Sequence, residues 1–98
     1  MIWATITDKY ALRDIKEQRV LDYLDERGWI IRHEVQYGYI IEHPKFRDDE
    51  DNSPITIHLA KHTAGDYVRR LAETLQTLSI VEDRSQLDIF VDMGGSIE

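Results

Sequence analysis

The sequence predicts an α+β fold in which a small three-stranded antiparallel sheet carries two helices on one face, followed by a short C-terminal helix. Three observations support this class: a helix-periodic segment that ends at Gly28, three short β-branched segments between residues 29 and 59, and a second helix-periodic segment from Thr63. We expect a single domain over residues 1–98, because typical domains contain roughly 50 to 200 residues.

The first helix is predicted from Asp14 to Arg27. Asp14 and Glu17 have the three-residue spacing of a capping box, and apolar residues follow at helical intervals. Gly28 is expected to end the helix, since glycine readily adopts the left-handed conformation that closes a last turn. Before this helix, residues 2–7 are rich in β-branched side chains, which suits either an edge strand or an arm that pairs with another subunit.

Residues 29–43 predict two short strands that meet at a turn or bulge near Gln36–Gly38. Pro44 has no amide hydrogen, so we expect no strand at its own position. The polar stretch that follows contains four consecutive acids at 48–51 and is expected to be a loop. A third strand is predicted at Ile55–Leu59, where apolar and polar side chains alternate.

Two further helices are predicted in the C-terminal third of the chain. Thr63 and Asp66 have capping-box spacing at the start of the longer one. Its apolar stripe is formed by Tyr67, Val68, Leu71, Leu75 and Leu78. Over Leu87–Met93 the apolar alternation equally suits a strand, but Ser85 as an N-cap and the glycines at 94–95 favour a short helix.

Composition excludes several classes of protein. Cysteine is absent, which excludes disulfides, thiolate zinc sites and cysteine nucleophiles. No apolar run approaches the roughly 18 residues that span a bilayer, and the N-terminus lacks the pattern of a secretory signal, so we expect a cytoplasmic protein. The net charge of -7 repels phosphate backbones. Acids concentrate in residues 71–98, which favours a solvated surface or a basic partner.

The sequence predicts no catalytic, cofactor or metal site, and we expect a protein that is not an enzyme. No Ser-His-Asp order, phosphate-binding loop or nucleophile elbow is found. His58 and His62 are four residues apart, but they span the end of a strand and a loop and do not share a helical face. Metal binding stays open as an alternative, because adjacent strands can bring His33 together with His43 or His58 on the outer face of the sheet.

Residues 15–78 resemble the HicA toxins, whose fold is like that of a double-stranded RNA-binding domain. The resemblance rests on the helix ending at Gly28, the hairpin ending in His43-Pro44, the strand Ile55–Ile57 and the helix after it, which come in the same order. In those toxins a catalytic histidine stands beside a Gly-Ser pair on the second strand. This chain has Gln36-Tyr37-Gly38-Tyr39 there, so the resemblance implies the fold and not the ribonuclease activity.

Residues 65–91 resemble a second family, of small uncharacterised and mostly cyanobacterial proteins. The resemblance supplies no activity. It rests on Gly65-Asp66-Tyr67, Arg70, Glu73, Leu75, Thr77-Leu78, Val81-Glu82 and Arg84-Ser85-Gln86-Leu87.

Protein association is the function that the sequence favours. A small domain buries a modest core, and self-association covers the apolar surface that remains, so we expect a homodimer. The predicted contact residues are Trp3, Tyr37, Tyr39, Phe90, Val91 and Met93. In the other interpretation, Trp3 and Phe90 close the core of the monomer. By analogy with the toxins, this chain is expected to act as an accessory or inhibitory partner in a toxin-like or defence-related system.

The alternative function is weak RNA or DNA binding on the face that corresponds to a double-stranded RNA-binding domain. The bases expected to contact phosphates are Arg32, Lys61, Arg69 and Arg70. Because these bases stand among many acids, such binding is expected to be weak and steeply dependent on salt. In the competing interpretation, Arg69 and Arg70 pair with Asp66 or Glu73 along their own helix.

Overall fold

The computed structural model describes residues 9–47, 50 and 52–95 and confirms the predicted α+β class. Three strands form one antiparallel sheet in the order β1-β2-β3. The predicted N-terminal segment 2–7 lies outside the described residues. The elements are α1 (Lys9–Asp14), α2 (Glu17–Glu26), β1 (Ile30–Val35), β2 (Gly38–Arg47), β3 (Pro54–Ala60), α3 (Tyr67–Glu82) and α4 (Gln86–Asp92).

The core lies between the sheet and the helices. From the sheet, Ile41, Ile57 and Leu59 are buried in it, each at most 2% exposed. Ile41 stands directly opposite Ile57 on the neighbouring strand, so the apolar side chains of the sheet share one face. The helices supply the remainder of the core, including Leu12, Val20, Tyr23, Leu24, Leu71, Leu75, Leu78, Ile89 and Phe90.

Both predicted capping boxes are wrong. Asp14 is the last residue of a separate helix, α1, and α2 begins at Glu17 with Lys16 as its N-cap. The carboxylate of Glu17 accepts hydrogen bonds from a distant strand and loop instead of its own helix end. At α3 the N-cap is Asp66, whose side chain makes no capping bond because it pairs with arginines of the first helical turn.

The end of α2 and the boundaries of α4 agree with their local sequence signals. Gly28 follows α2 with φ = 88°, the conformation expected of a glycine past a helix end. The Ser85 hydroxyl accepts a hydrogen bond from the Leu87 amide at 3.2 Å and caps α4, and Gly94 follows that helix with φ = 94°. The ambiguous segment after Ser85 is therefore a helix.

The expectation that Pro44 has no place in a strand is wrong, since β2 continues to Arg47. The reason is local register. Regular pairing with β3 stops at Glu42 and resumes only where Arg47 faces Pro54. The missing amide hydrogen of Pro44 therefore falls in an irregular stretch of the ladder, where proline is tolerated.

We predict that Gly38→Ala weakens the sheet and that Gly65→Ala does not. A Cβ at Gly38 would lie 2.4 Å from the Leu59 carbonyl oxygen, which belongs to the backbone of β3 and has little room to move. At Gly65 a Cβ would meet no atom within 4 Å. Urea unfolding should show a loss of about 1 to 3 kcal/mol for Gly38→Ala and little change for Gly65→Ala. Equal stabilities of the two variants would contradict this account of β2–β3 pairing.

Candidate functional site

The structure changes the predicted association surface. Phe90 and Met93 are 0% and 2% exposed, so their prediction as contact residues is wrong. They turn inward because α4 packs against α3 and completes the core, as the other interpretation of Phe90 holds. Val91 is 52% exposed on α4, whereas Tyr37 is 68% exposed in the turn between β1 and β2. Trp3 lies outside the described residues.

Tyr39, the remaining predicted contact residue, is partly buried and belongs to a polar cluster at the start of α2. Its hydroxyl donates to Glu17 Oε2 at 2.6 Å, and the His62 amide donates to Glu17 Oε1 at 2.8 Å. The His62 ring donates through Nε2 to the Arg13 carbonyl oxygen at 2.7 Å. This cluster joins the N-terminus of α2 to β2 and to the loop after β3, so we call it the N-terminal anchor of α2.

The contacts of the N-terminal anchor shift the pKa values of Glu17 and Tyr39. Burial raises the pKa of Glu17, but the hydrogen bonds from Tyr39 and the His62 amide and the charge of Lys61 outweigh it, so that pKa lies below its usual value. The hydrogen bond to Glu17, followed by burial, raises the pKa of Tyr39 to about 12. Glu17 is therefore the charged acceptor and Tyr39 the neutral donor at neutral pH.

We predict that Tyr39→Phe lowers stability most at neutral pH. A lowered Glu17 pKa contributes stability that is present above the unfolded value of 4.5 and is lost as the pH falls through the folded value. Loss of the Tyr39 hydroxyl should lower the free energy of unfolding by about 1 to 2 kcal/mol at pH 7. The difference should shrink towards pH 3.

Urea titrations at several pH values measure this effect. Tyr37→Phe is the matched control, because Tyr37 lies in the neighbouring turn and is 68% exposed. A difference between wild type and Tyr39→Phe that stays constant from pH 7 to pH 3 would contradict the assignment of Glu17 as a charged acceptor.

A second cluster holds the C-terminal end of α2, and we call it the C-terminal anchor of α2. The Tyr23 hydroxyl donates to Glu82 Oε1 at 2.9 Å, and Arg27 Nε donates to the same oxygen at 3.1 Å. Arg84 bridges to α4 through Asp92 at 2.6 Å. Burial and then the bond to Glu82 raise the pKa of Tyr23. Part of the acidic C-terminal quarter thus docks on its own domain.

The four bases of the nucleic-acid alternative are all paired with carboxylates. Their pairing cancels the positive charge that phosphates would meet. Arg69 and Arg70 pair along their own helix, as the competing interpretation expects. The pairs are Arg32–Glu42 at 3.6 Å, Lys61–Glu34 at 3.1 Å, Arg69–Asp66 at 3.5 Å, Arg70–Asp66 at 3.3 Å and Arg70–Glu73 at 3.7 Å.

We predict no saturable binding of random single-stranded DNA or double-stranded RNA at low salt. Neutralised bases release few counterions from a phosphate backbone, and the net charge of -7 adds repulsion. Fluorescence anisotropy with labelled oligonucleotides measures the binding. Binding that weakens steeply with added salt and is lost in Arg69→Gln/Arg70→Gln would contradict this prediction.

β1 forms an open edge of the sheet. β1 pairs with β2 on one side, and no other strand of the described residues pairs with its outer side. All six of its residues are exposed. Three of them are large and apolar, with Ile30 40%, Ile31 47% and Val35 52% exposed. Ile31 stands opposite buried Ile41 on the helix side of the sheet, whereas Val35 faces the outer side.

An open groove of about 210 Å³ lies between α2 and this edge. Its walls are almost entirely apolar, with Asp25 as a charged residue on its rim. The indole Nε1 of Trp29, which also lines the groove, is buried without a hydrogen-bond partner among the described residues. The lining includes Leu21, Leu24, Asp25, Trp29, Ile31 and Ile41. We call β1 and this groove together the docking site.

Sequence reasoning missed the docking site, although one signal for it exists. A strand that is covered on one face alternates between apolar and polar residues. Ile30 and Ile31 are adjacent in β1 and therefore lie on opposite faces, so one of them is exposed in any two-layer arrangement. The groove itself has no local signature, because it depends on where α2 lies relative to the sheet.

The four histidines lie in different surroundings. His43 is buried between Trp29 and Phe46, whereas His33 and His58 are exposed. Within residues 9–47, 50 and 52–95 there is no group of three side chains suited to a metal ion. None of the helices among these residues is long and apolar enough to cross a bilayer.

No family model, curated protein or solved structure matches the chain.

Proposed function

We propose that the protein is a cytoplasmic, non-enzymatic association module that binds an extended segment of a protein chain along the open edge of β1. The observation that carries the proposal is an edge strand whose six residues are all classed as exposed and which has large apolar side chains on both faces. A strand added to such an edge gains backbone hydrogen bonds, and neighbouring pockets select its side chains. The groove beside Ile31 is such a pocket.

The composition of β1 supports a binding role for this edge. Edge strands are usually protected from pairing by lysine, proline or inward-pointing charges. β1 has neither lysine nor proline, and its two charged residues, Arg32 and Glu34, pair with neighbours in the same protein. Its protective features are a bulge between Ile31 and His33 and the charge of Glu34 on the helix face. Because of that irregularity, a partner whose backbone matches the bulge pairs better than an arbitrary strand does.

The same proposal includes the two forms of association expected from the sequence. A second copy of the chain gives a homodimer, and a different protein makes this chain an accessory or inhibitory partner in a toxin-like or defence-related system. The resemblance to HicA toxins supports only the second form, by analogy. Binding of nucleic acid is the alternative, and the paired state of the four candidate bases argues against it.

Site-specific photocrosslinking in cells of the source organism tests the proposal. A benzophenone amino acid replaces Ile31 in one variant and Ile80 in the control. Ile80 is also apolar and is 75% exposed, but it lies on α3. We expect discrete adducts larger than the 11.5 kDa chain from position 31 and few from position 80.

The pattern of adducts decides between the forms of the proposal. An adduct of twice the chain mass indicates a homodimer, and a discrete larger or smaller adduct indicates another protein. No adduct at position 31, or the same adducts at both positions, would refute association through this edge.

A further inference from the structure

We infer that the segment bound at the docking site comes from a different, basic protein and presents alternating apolar residues next to a lysine or arginine. This inference rests on the proposed function and names its partner. Three separate observations support the inference: the apolar groove beside β1, the unpaired carboxylate of Asp25 and the pairing geometry of β1.

The apolar requirement follows from the place of the groove. A strand added to β1 lies about 4.8 Å beyond it, with side chains directed alternately to the two faces of the sheet. Side chains on the helix face would stand beside Ile31, under α2. There they meet Leu21 and Leu24 from the helix and Trp29 from the floor of the groove. Every second residue of the bound segment should therefore be apolar.

The basic requirement follows from Asp25. This residue is exposed on the rim of the groove and forms no ion pair with any described residue. The nearby cation, Arg27, is taken up by Glu82 in the C-terminal anchor. The chain as a whole carries a net charge of -7, which attracts a basic partner at long range. A lysine or arginine on the helix face of the bound segment meets Asp25.

A second copy of the chain fits the docking site poorly. Ile31 and Glu34 both lie on the helix face of β1, since they stand opposite Ile41 and Tyr39. The symmetric antiparallel register that pairs two β1 strands over their full length, with the helices on the same side, would place each Ile31 opposite a Glu34. The same arrangement puts the α2 helices of both copies, each with Asp25 at its groove, on one face of the joined sheet. Both features disfavour the symmetric pair.

Blocked model peptides test the chemistry of the partner. The first probe alternates valine and threonine and ends in a lysine on the valine face at each terminus. A second peptide has glutamate in place of both lysines, and a third has the lysine sequence with alternate amides N-methylated, which removes the strand hydrogen bonds. Each is titrated into the full chain, with amide chemical shifts as the readout.

Two variants of α2 give the matched comparison. Asp25→Lys reverses the charge on the rim of the groove. Glu26→Lys makes the same change in net charge on the adjacent exposed residue, which does not line the groove.

We expect the lysine peptide to shift the amides of β1 and of Leu21 and Leu24, and to bind about tenfold more tightly than the glutamate peptide. Asp25→Lys should reverse that order, and Glu26→Lys should preserve it. The N-methylated peptide should not bind. Equal effects of the two variants, or shifts confined to other surfaces, would overturn the inference.

Two further outcomes separate this inference from the proposed function. If none of the peptides binds while crosslinking at position 31 succeeds, the inference of a basic partner strand is wrong, and the proposed association through β1 stands. If light scattering gives a mass of twice 11.5 kDa and the β1 amides lie at the dimer interface, the occupant is a second copy, and the inference is likewise overturned.

Discussion

The fixed position of α2 is the constraint on which the rest of the structure depends. At its N-terminal end, Glu17 accepts hydrogen bonds from Tyr39 and from the His62 amide. At its C-terminal end, Tyr23 and Arg27 bind Glu82. Neither anchor uses a residue of β1. The helix is therefore held beside the sheet by β2, α3 and the loop after β3, and a groove remains between it and β1.

This arrangement explains why an open apolar edge is tolerated. Burying an isoleucine side chain is worth roughly 1.5 to 3 kcal/mol, so partly exposed Ile30 and Ile31 contribute less than they would in the core. The core residues of α2, α3 and α4 are buried, and the two anchors use no residue of β1. The exposed part of these side chains is the surface that the proposed partner would cover.

Much of the fold could be predicted from local sequence signals, whereas contacts between residues far apart in the sequence could not. Gly28 and Ser85 act through their nearest neighbours, and both end or begin helices as expected. Glu17 was predicted to cap its own helix, but it binds groups 22 and 45 residues away. Spacing along the chain cannot distinguish these two roles of a glutamate.

The candidate site was the least predictable part, for a related reason. Phe90 and Met93 lie in a segment that alternates like a surface strand, and only the packing of α4 on α3 shows that they are core. The docking site is set by the distance between α2 and β1, which no residue pattern encodes. Its exposed isoleucines are visible in the sequence, but the sequence does not say that β1 is the edge.

Hydrogen exchange of the isolated chain, followed amide by amide at dilute concentration, tests the central claim most directly. If the edge of β1 is open, its outward-directed amides should exchange nearly as fast as those of an unstructured peptide, while the paired amides in the centre of β2 remain protected. Strong protection of every β1 amide in the dilute monomer would mean that the edge is already covered, and would contradict the account.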